Sequence, residues 1–123
     1  MTVISFDEAP RFSAGGTNVI GLAAPTRGAS ETCAWRFTLD PGSSSPSHSL
    51  DREEIVIALE GRLDADLDGE RSTLGPGDAL IIPAGCEVVL ANPGPQPFEA
   101  IACLPVGAQA SVEGEASVPP WAA

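Results

Sequence analysis

The stretch Gly42–Gly61, GSSSPSHSLDREEIVIALEG, decides how the rest of the chain is read. It leaves the turn Asp40-Pro41-Gly42, crosses a serine-rich loop to the only histidine, His48, and reaches the paired carboxylates Glu53-Glu54. Five apolar residues follow, Ile55–Leu59, closed by Glu60-Gly61. A run so short, rich in β-branched residues and bounded by a glycine, reads as a buried strand, since a core helix needs about ten residues or more. An imidazole and a carboxyl at the mouth of a buried strand are where proton chemistry is sought first, because histidine titrates near neutrality.

Outward from this stretch the punctuation is dense. Twelve prolines and thirteen glycines break the chain into short β-type runs, at roughly the 8–12-residue spacing of all-β sandwiches and barrels. Strands are predicted at Val3–Phe6, Asn18–Ala24, Thr32–Asp40, Glu54–Leu59, Arg62–Leu67, Glu70–Leu74, Ala79–Ile82, Cys86–Ala91 and Phe98–Leu104, with an edge at Ala108–Val112. In Thr32–Asp40, Cys33, Trp35, Phe37 and Leu39 share one face and Arg36 and Thr38 the other, the period of a half-buried strand. Asp68-Gly69 signals a two-residue hairpin, whose turn needs positive φ at both positions. The organisation expected is an arm over residues 1–16, one barrel domain over 17–112 and an extended tail over 113–123. Trp121, in the run Val118-Pro119-Pro120-Trp121, is expected to dock on the barrel or on a partner subunit rather than stand in water.

Charge narrows the partners. Seventeen acidic residues against six basic ones leave a net charge of −11, and such a surface repels phosphate backbones and anionic lipid. Nucleic acid and membrane are therefore not expected partners. All six basic residues are arginine. Met1–Glu8 has no basic, apolar leader pattern, and the longest apolar runs fall far short of the roughly twenty residues of a membrane helix. Cys33, Cys86 and Cys103 are odd in number and lack a CxxC spacing, which argues against a disulfide framework or a zinc knuckle. Reduced thiols and a cytoplasmic setting are expected.

Two spaced motifs give the chain a family likeness. The first is Gly42, five residues, His48, one residue, Leu50, three residues, Glu54, six residues, Gly61. The second is Gly77, five residues, Pro83, one residue, Gly85, two residues, Val88, three residues, Asn92. This pattern resembles the two motifs of the cupins, and the likeness spans about Thr32 to Leu104. It implies an all-β double-stranded β-helix, a jelly-roll cupin barrel. In metal-binding cupins three histidines and the glutamate converge on one divalent transition metal. Here two of those histidine positions hold Leu50 and Val88, leaving His48 and Glu54. Two donors rarely hold a first-row ion tightly. If a metal binds, the donors expected are His48, Glu54 and, by strand alternation, Cys86.

The residues expected around the ligand pocket are His48, Leu50, Glu54, Cys86 and Val88, with Arg36 as an anion clamp at its wall or, alternatively, a surface charge. The reading placed first is a cupin that binds a small polar metabolite without a tightly bound metal or other cofactor. A second is a metal-independent isomerase, cyclase or lyase with His48 and Glu54 as catalytic acid and base, the carboxyl orienting the ring or itself acting as the base when desolvated. A third is a metal-dependent dioxygenase-like or isomerase-like cupin with a reduced ligand set. The likeness also implies a homodimer, formed by sheet packing or by exchange of the N-terminal arm.

Overall fold

Alternation fixes the inside of the molecule. Cys33, Trp35, Phe37 and Leu39 are buried from one central strand and Phe98, Ala100, Ala102 and Leu104 from its neighbour, while the residues between them face outward. The computed structural model describes residues 1–123. Its strands are β1 (Arg11–Ala14), β2 (Thr17–Ala23), β3 (Thr32–Leu39), β4 (Ser49–Leu50), β5 (Glu54–Glu60), β6 (Leu63–Leu67), β7 (Glu70–Leu74), β8 (Ala79–Ile82), β9 (Val88–Ala91), β10 (Phe98–Pro105), β11 (Ala110–Val112) and β12 (Glu115–Ser117). One wall is a six-stranded sheet ordered β1-β2-β3-β10-β5-β8. The other is built from β7-β6-β9 and β12-β11-β4, and bridges from Ser44 to Ala91 and from His48 to Val88 tie the serine-rich loop to β9. All pairings are antiparallel. Phe98, Leu39, Leu63, Ile82 and Leu104 are fully enclosed between the walls, each contributing about 1.5–3 kcal/mol by burial.

The motif residues hold the turns. Asp68 and Gly69 have φ of 50° and 87°, as a type I′ turn requires, and Leu67 pairs with Glu70 across them. The tip of this hairpin is tied to the segment before β9, where Glu87 N donates to Asp68 Oδ1 at 2.9 Å. Asn92 is buried because its amide replaces missing backbone partners. Its Nδ2 donates to Leu39 O (3.0 Å) and Gln96 O (2.8 Å), and its Oδ1 accepts from Gly94 N (3.1 Å). The end of β3 is thereby fastened to the turn between β9 and β10.

The two ends of the chain depart from the sequence reading. Val3–Phe6 is not a strand. The N-terminal strand lies further on, at Arg11–Ala14, and forms a hairpin with β2 through Gly15-Gly16. The arm thus pairs within its own chain. At the other end, β11 and β12 form a hairpin through Glu113-Gly114, and Pro120–Ala122 is a 3-10 turn. Trp121 docks on the barrel, its ring 6.1 Å from Phe12 and 6.2 Å from Trp35. Arg27 Nη2 donates to Trp121 O (2.9 Å), Thr26 Oγ1 to Ala123 O (2.8 Å) and Cys33 Sγ to Ala122 O (3.4 Å), so the last turn is held by its carbonyls. No helix is long and apolar enough to cross a membrane.

Candidate functional site

Glu54 is the first residue of β5, and the alternation that buries Val56 and Ala58 turns it inward too. It pairs with Ile82 of β8. Cys103 pairs with Ile55, so continuing the register by one residue sets Leu104 on the other flank of Glu54, and Leu104 pairs with Cys33. The rung Ile82, Glu54, Leu104, Cys33 is therefore hydrocarbon and thiol except for one carboxyl. That carboxyl is 6 % exposed and has no counter-charge within ion-pair distance. The only side-chain polar atom both sealed from solvent and unpartnered is Trp121 Nε1, so the Glu54 oxygens, which accept no hydrogen bond from the protein, keep a path to solvent. Desolvation alone pushes the Glu54 carboxyl up from the ordinary 4.5 to about 7, because burial disfavours the charged form and no donor or cation offsets it.

His48 sits half-buried on the facing wall. Its backbone exchanges both hydrogen bonds with Val88, His48 N to Val88 O at 3.1 Å and Val88 N to His48 O at 2.7 Å. Directly opposed residues present their side chains to the same face, so the imidazole shares the face of the buried Val88 side chain. Its Nδ1 lies 2.8 Å from Pro46 O. A carbonyl can only accept, so Nδ1 carries the proton of this bond and Nε2 is the basic nitrogen of the neutral ring. The ring is therefore oriented by a loop carbonyl and not, as the acid/base reading expects, by the Glu54 carboxyl. Leu50, two residues on, and Val88 are both buried and line the interior with aliphatic carbon.

Two expected site residues lie elsewhere. Arg36 is not at the barrel pocket. Its neighbours Trp35 and Phe37 point in, so Arg36 points out, paired with Ile20 and Ile101 and bound through Nε (2.7 Å) and Nη2 (2.6 Å) to one oxygen of Glu99. Cys86 is buried, but it lines a lateral cleft of about 430 Å³ with Leu67, Asp68, Leu80 and Pro83. Burial first, then the hydrogen bond and charge of Asp68 and the charges of Glu87 and Asp66, raise its thiol pKa, which keeps it protonated and a weak metal ligand. No three His, Cys, Asp or Glu side chains are grouped so as to hold a metal ion. The set His48, Glu54, Cys86 is thus not brought together, and the donors present do not fit the ion that the fold family implies.

Two antiparallel walls closed around an apolar interior, with one carboxyl and one imidazole among aliphatic side chains, define a small double-stranded β-helix. Residues 35–104 match the family model Cupin_2, the cupin domain, and the chain belongs to that family. Among solved structures it superposes on the polyketide cyclase RemF from Streptomyces resistomycificus with a TM-score of 0.74 at 23% identity, covering 85% of this chain and 79% of that one. A Cupin 2 conserved barrel domain protein from Salinispora arenicola CNS-205 is similar over 84% of this chain and 87% of its own, with a TM-score of 0.67 and 28% identity. A 73-residue stretch is 30% identical to endoribonuclease YbeY of Myxococcus xanthus (strain DK1622), 59% of this chain but only 25% of that protein. The chain spans about a quarter of the length of that curated relative.

Proposed function

We propose that this cupin binds a small polar molecule at the barrel mouth without a tightly held metal, using Glu54 and His48 as its polar contacts. The observation that carries the reading is Glu54, a carboxyl kept inside an apolar rung with no protein partner yet with a path to solvent. An unpaired buried carboxyl is costly to a fold, and a ligand hydroxyl or carbonyl would supply the missing hydrogen bond. His48 Nε2 offers an acceptor from the opposite wall, and Leu50 and Val88 supply dry surface. Ribonuclease chemistry finds no support, since a chain of net charge −11 repels a phosphodiester backbone.

The raised Glu54 pKa favours a second reading at the same site. A carboxyl that titrates near neutrality both accepts and returns a proton at working pH, which is what a metal-independent isomerase, cyclase or lyase asks of its base. Elemental analysis of protein purified without chelator, combined with a thermal-shift screen of small hydroxylated and carbonyl metabolites, tests the proposal. The expected result is sub-stoichiometric metal and at least one ligand whose stabilisation reaches about 2.7 kcal/mol at a hundred times its Kd. Glu54→Gln or His48→Ala should weaken that ligand. Stoichiometric metal that His48→Ala removes would overturn it.

We infer that the protein is a homodimer in which second copies pack through the outer face of β10, β5 and β8. Ile101, Cys103, Ile55, Ile57, Leu59 and Ile81 face outward there by register and alternation, and Ile57 is 39 % and Ile81 58 % exposed. The one charge that β10 adds to this face, Glu99, lies at its end and is paired with Arg36, so the isoleucine patch is where two strongly acidic chains repel least and bury most apolar area. Light scattering should give twice the 12.5 kDa chain mass, and Ile57→Asp should return a folded monomer. A wild-type monomer at about 100 µM would contradict this, since specific interfaces bind well below that concentration. The three free cysteines support a reducing, cytoplasmic setting.

A further inference from the structure

Outside the barrel, one row across the six-stranded sheet carries two arginines. Arg11 of β1 pairs with Ile20 of β2, and Ile20 pairs with Arg36 of β3, so the two arginine Cα atoms stand about 10 Å apart with an isoleucine floor between them. The N-terminal turn brings Phe6 over this row, its ring centroid 4.9 Å from Arg11 Cζ and 5.9 Å from Arg36 Cζ. Between them lies a cavity of about 300 Å³, also lined by Phe12, Asn18, Thr38 and Glu99, a volume at the lower end of small-molecule sites.

The charges there do not balance. Arg36 spends Nε and Nη2 on a single oxygen of Glu99. Arg11 uses only Nη1, which donates to Phe6 O (2.8 Å) and Ala9 O (2.6 Å), leaving Nε and Nη2 unbonded to protein. Arg11 has no carboxylate partner even though Asp7 and Glu8 adjoin Phe6 in sequence. In a chain with seventeen acidic and six basic residues, two guanidiniums meeting at one ring with one carboxylate between them make a local site of positive charge. The backbone bonds of Arg11 hold its planar fork in place, and such a fork matches a carboxylate.

We propose that this cavity is a binding site for a small planar organic carboxylate, its oxygens between Arg11 and Arg36 and its apolar body beneath Phe6. The site is separate from the barrel mouth and does not depend on the function proposed there. Titration of ¹⁵N-labelled protein with sodium benzoate tests it, with the neutral analogue benzamide as control. Benzoate should produce saturable shifts of the Arg11 and Arg36 side-chain Nε–H signals and of the Phe6 amide, with a Kd in the millimolar range, on the order of 1–10 mM. Benzamide should produce none at the same sites. Arg11→Gln and, independently, Arg36→Gln should each weaken benzoate by about tenfold or more. Glu99→Gln, which removes the competing carboxylate, should tighten it, and Glu54→Gln should leave it unchanged. Shifts of equal size with benzamide, no saturation by about 50 mM, or benzoate binding that survives both arginine substitutions in folded protein would each overturn the proposal.

Discussion

Glu54→Gln is expected to remove the loss of stability that the Glu54 carboxyl imposes on this protein between pH 4.5 and pH 8. The sign follows from linkage. Glu54 has its pKa raised from 4.5 to about 7 in the fold. Between those values the folded chain holds a proton that the unfolded chain has released, so stability falls as pH rises. Below pH 4.5 both states are protonated and the group contributes no slope, and above pH 7 the full cost of burying the charge is present. A shift of this size corresponds to about 3 kcal/mol. Glutamine keeps the shape and cannot ionise. The variant should match the wild type near pH 4 and exceed it by about 3 kcal/mol, or about 10 °C in Tm, near pH 8. Repulsion among the other acidic residues adds a slope of its own, but it is common to both proteins and cancels in the difference. Urea unfolding of both proteins across this range measures it, and parallel curves would show that Glu54 is ionised or paired in the fold.

Gly61→Ala is expected to cost about 4 kcal/mol, a large share of the 5–15 kcal/mol that holds a domain together. Gly61 has φ of 81°, a left-handed conformation that itself costs an alanine about 1–2 kcal/mol. A Cβ there would also drive into Pro97 O and come within 2.9 Å of Phe98 Cα. Both are backbone atoms, so relief requires moving β10 at Phe98, one of the fully enclosed core residues. Gly69→Ala is the matched control. Its φ of 87° is similar, but a Cβ there meets nothing within 4 Å. Chemical denaturation should find the Gly61 variant weaker than the Gly69 variant by about 2 kcal/mol or more, and equal losses would mean that the close approach to Pro97 carries no energy.

The features legible in the sequence are those set by local geometry. Asp68-Gly69 announced its hairpin because few residue pairs accept two positive φ angles, and the alternation of Thr32–Asp40 told inside from outside before any partner strand was known. Ile55–Leu59 is apolar throughout and shows no such alternation, so Glu54 is marked as a site residue by its place in the spaced motif. The N-terminal strand was misplaced because Val-Ile-Ser-Phe has the better β-propensity, whereas Arg11–Ala14 gains its strand character from pairing across Gly15-Gly16. Glu115–Ser117 is exposed and polar, so only its pairing with β11 makes it a strand. The pocket was legible in part. That Arg36 faces away from the apolar side could be read, but not that Glu99, 63 residues later, would claim it. Nor could the acidic surroundings that set Cys86 apart be read, since Asp66 and Asp68 reach it only through the fold.

The place of β10 has a consequence for how the protein is made. Although only the two-residue β4 separates β3 from β5 in sequence, β10 lies between them in the sheet, pairing with both. Neither can complete its hydrogen bonding until Phe98–Pro105 has left the ribosome, which at roughly 5–20 residues per second means an interval of several seconds after β5 emerges. Through that interval β5 can pair with β8 on one side, but its other edge stays open, the kind of edge that other nascent chains can join. Most of the acidic residues have been translated by then, including Glu53, Glu54, Asp64, Asp66 and Asp68 close to β5. Their mutual repulsion works against the joining of unfinished chains, so the net charge of −11 also acts while the barrel is still being made.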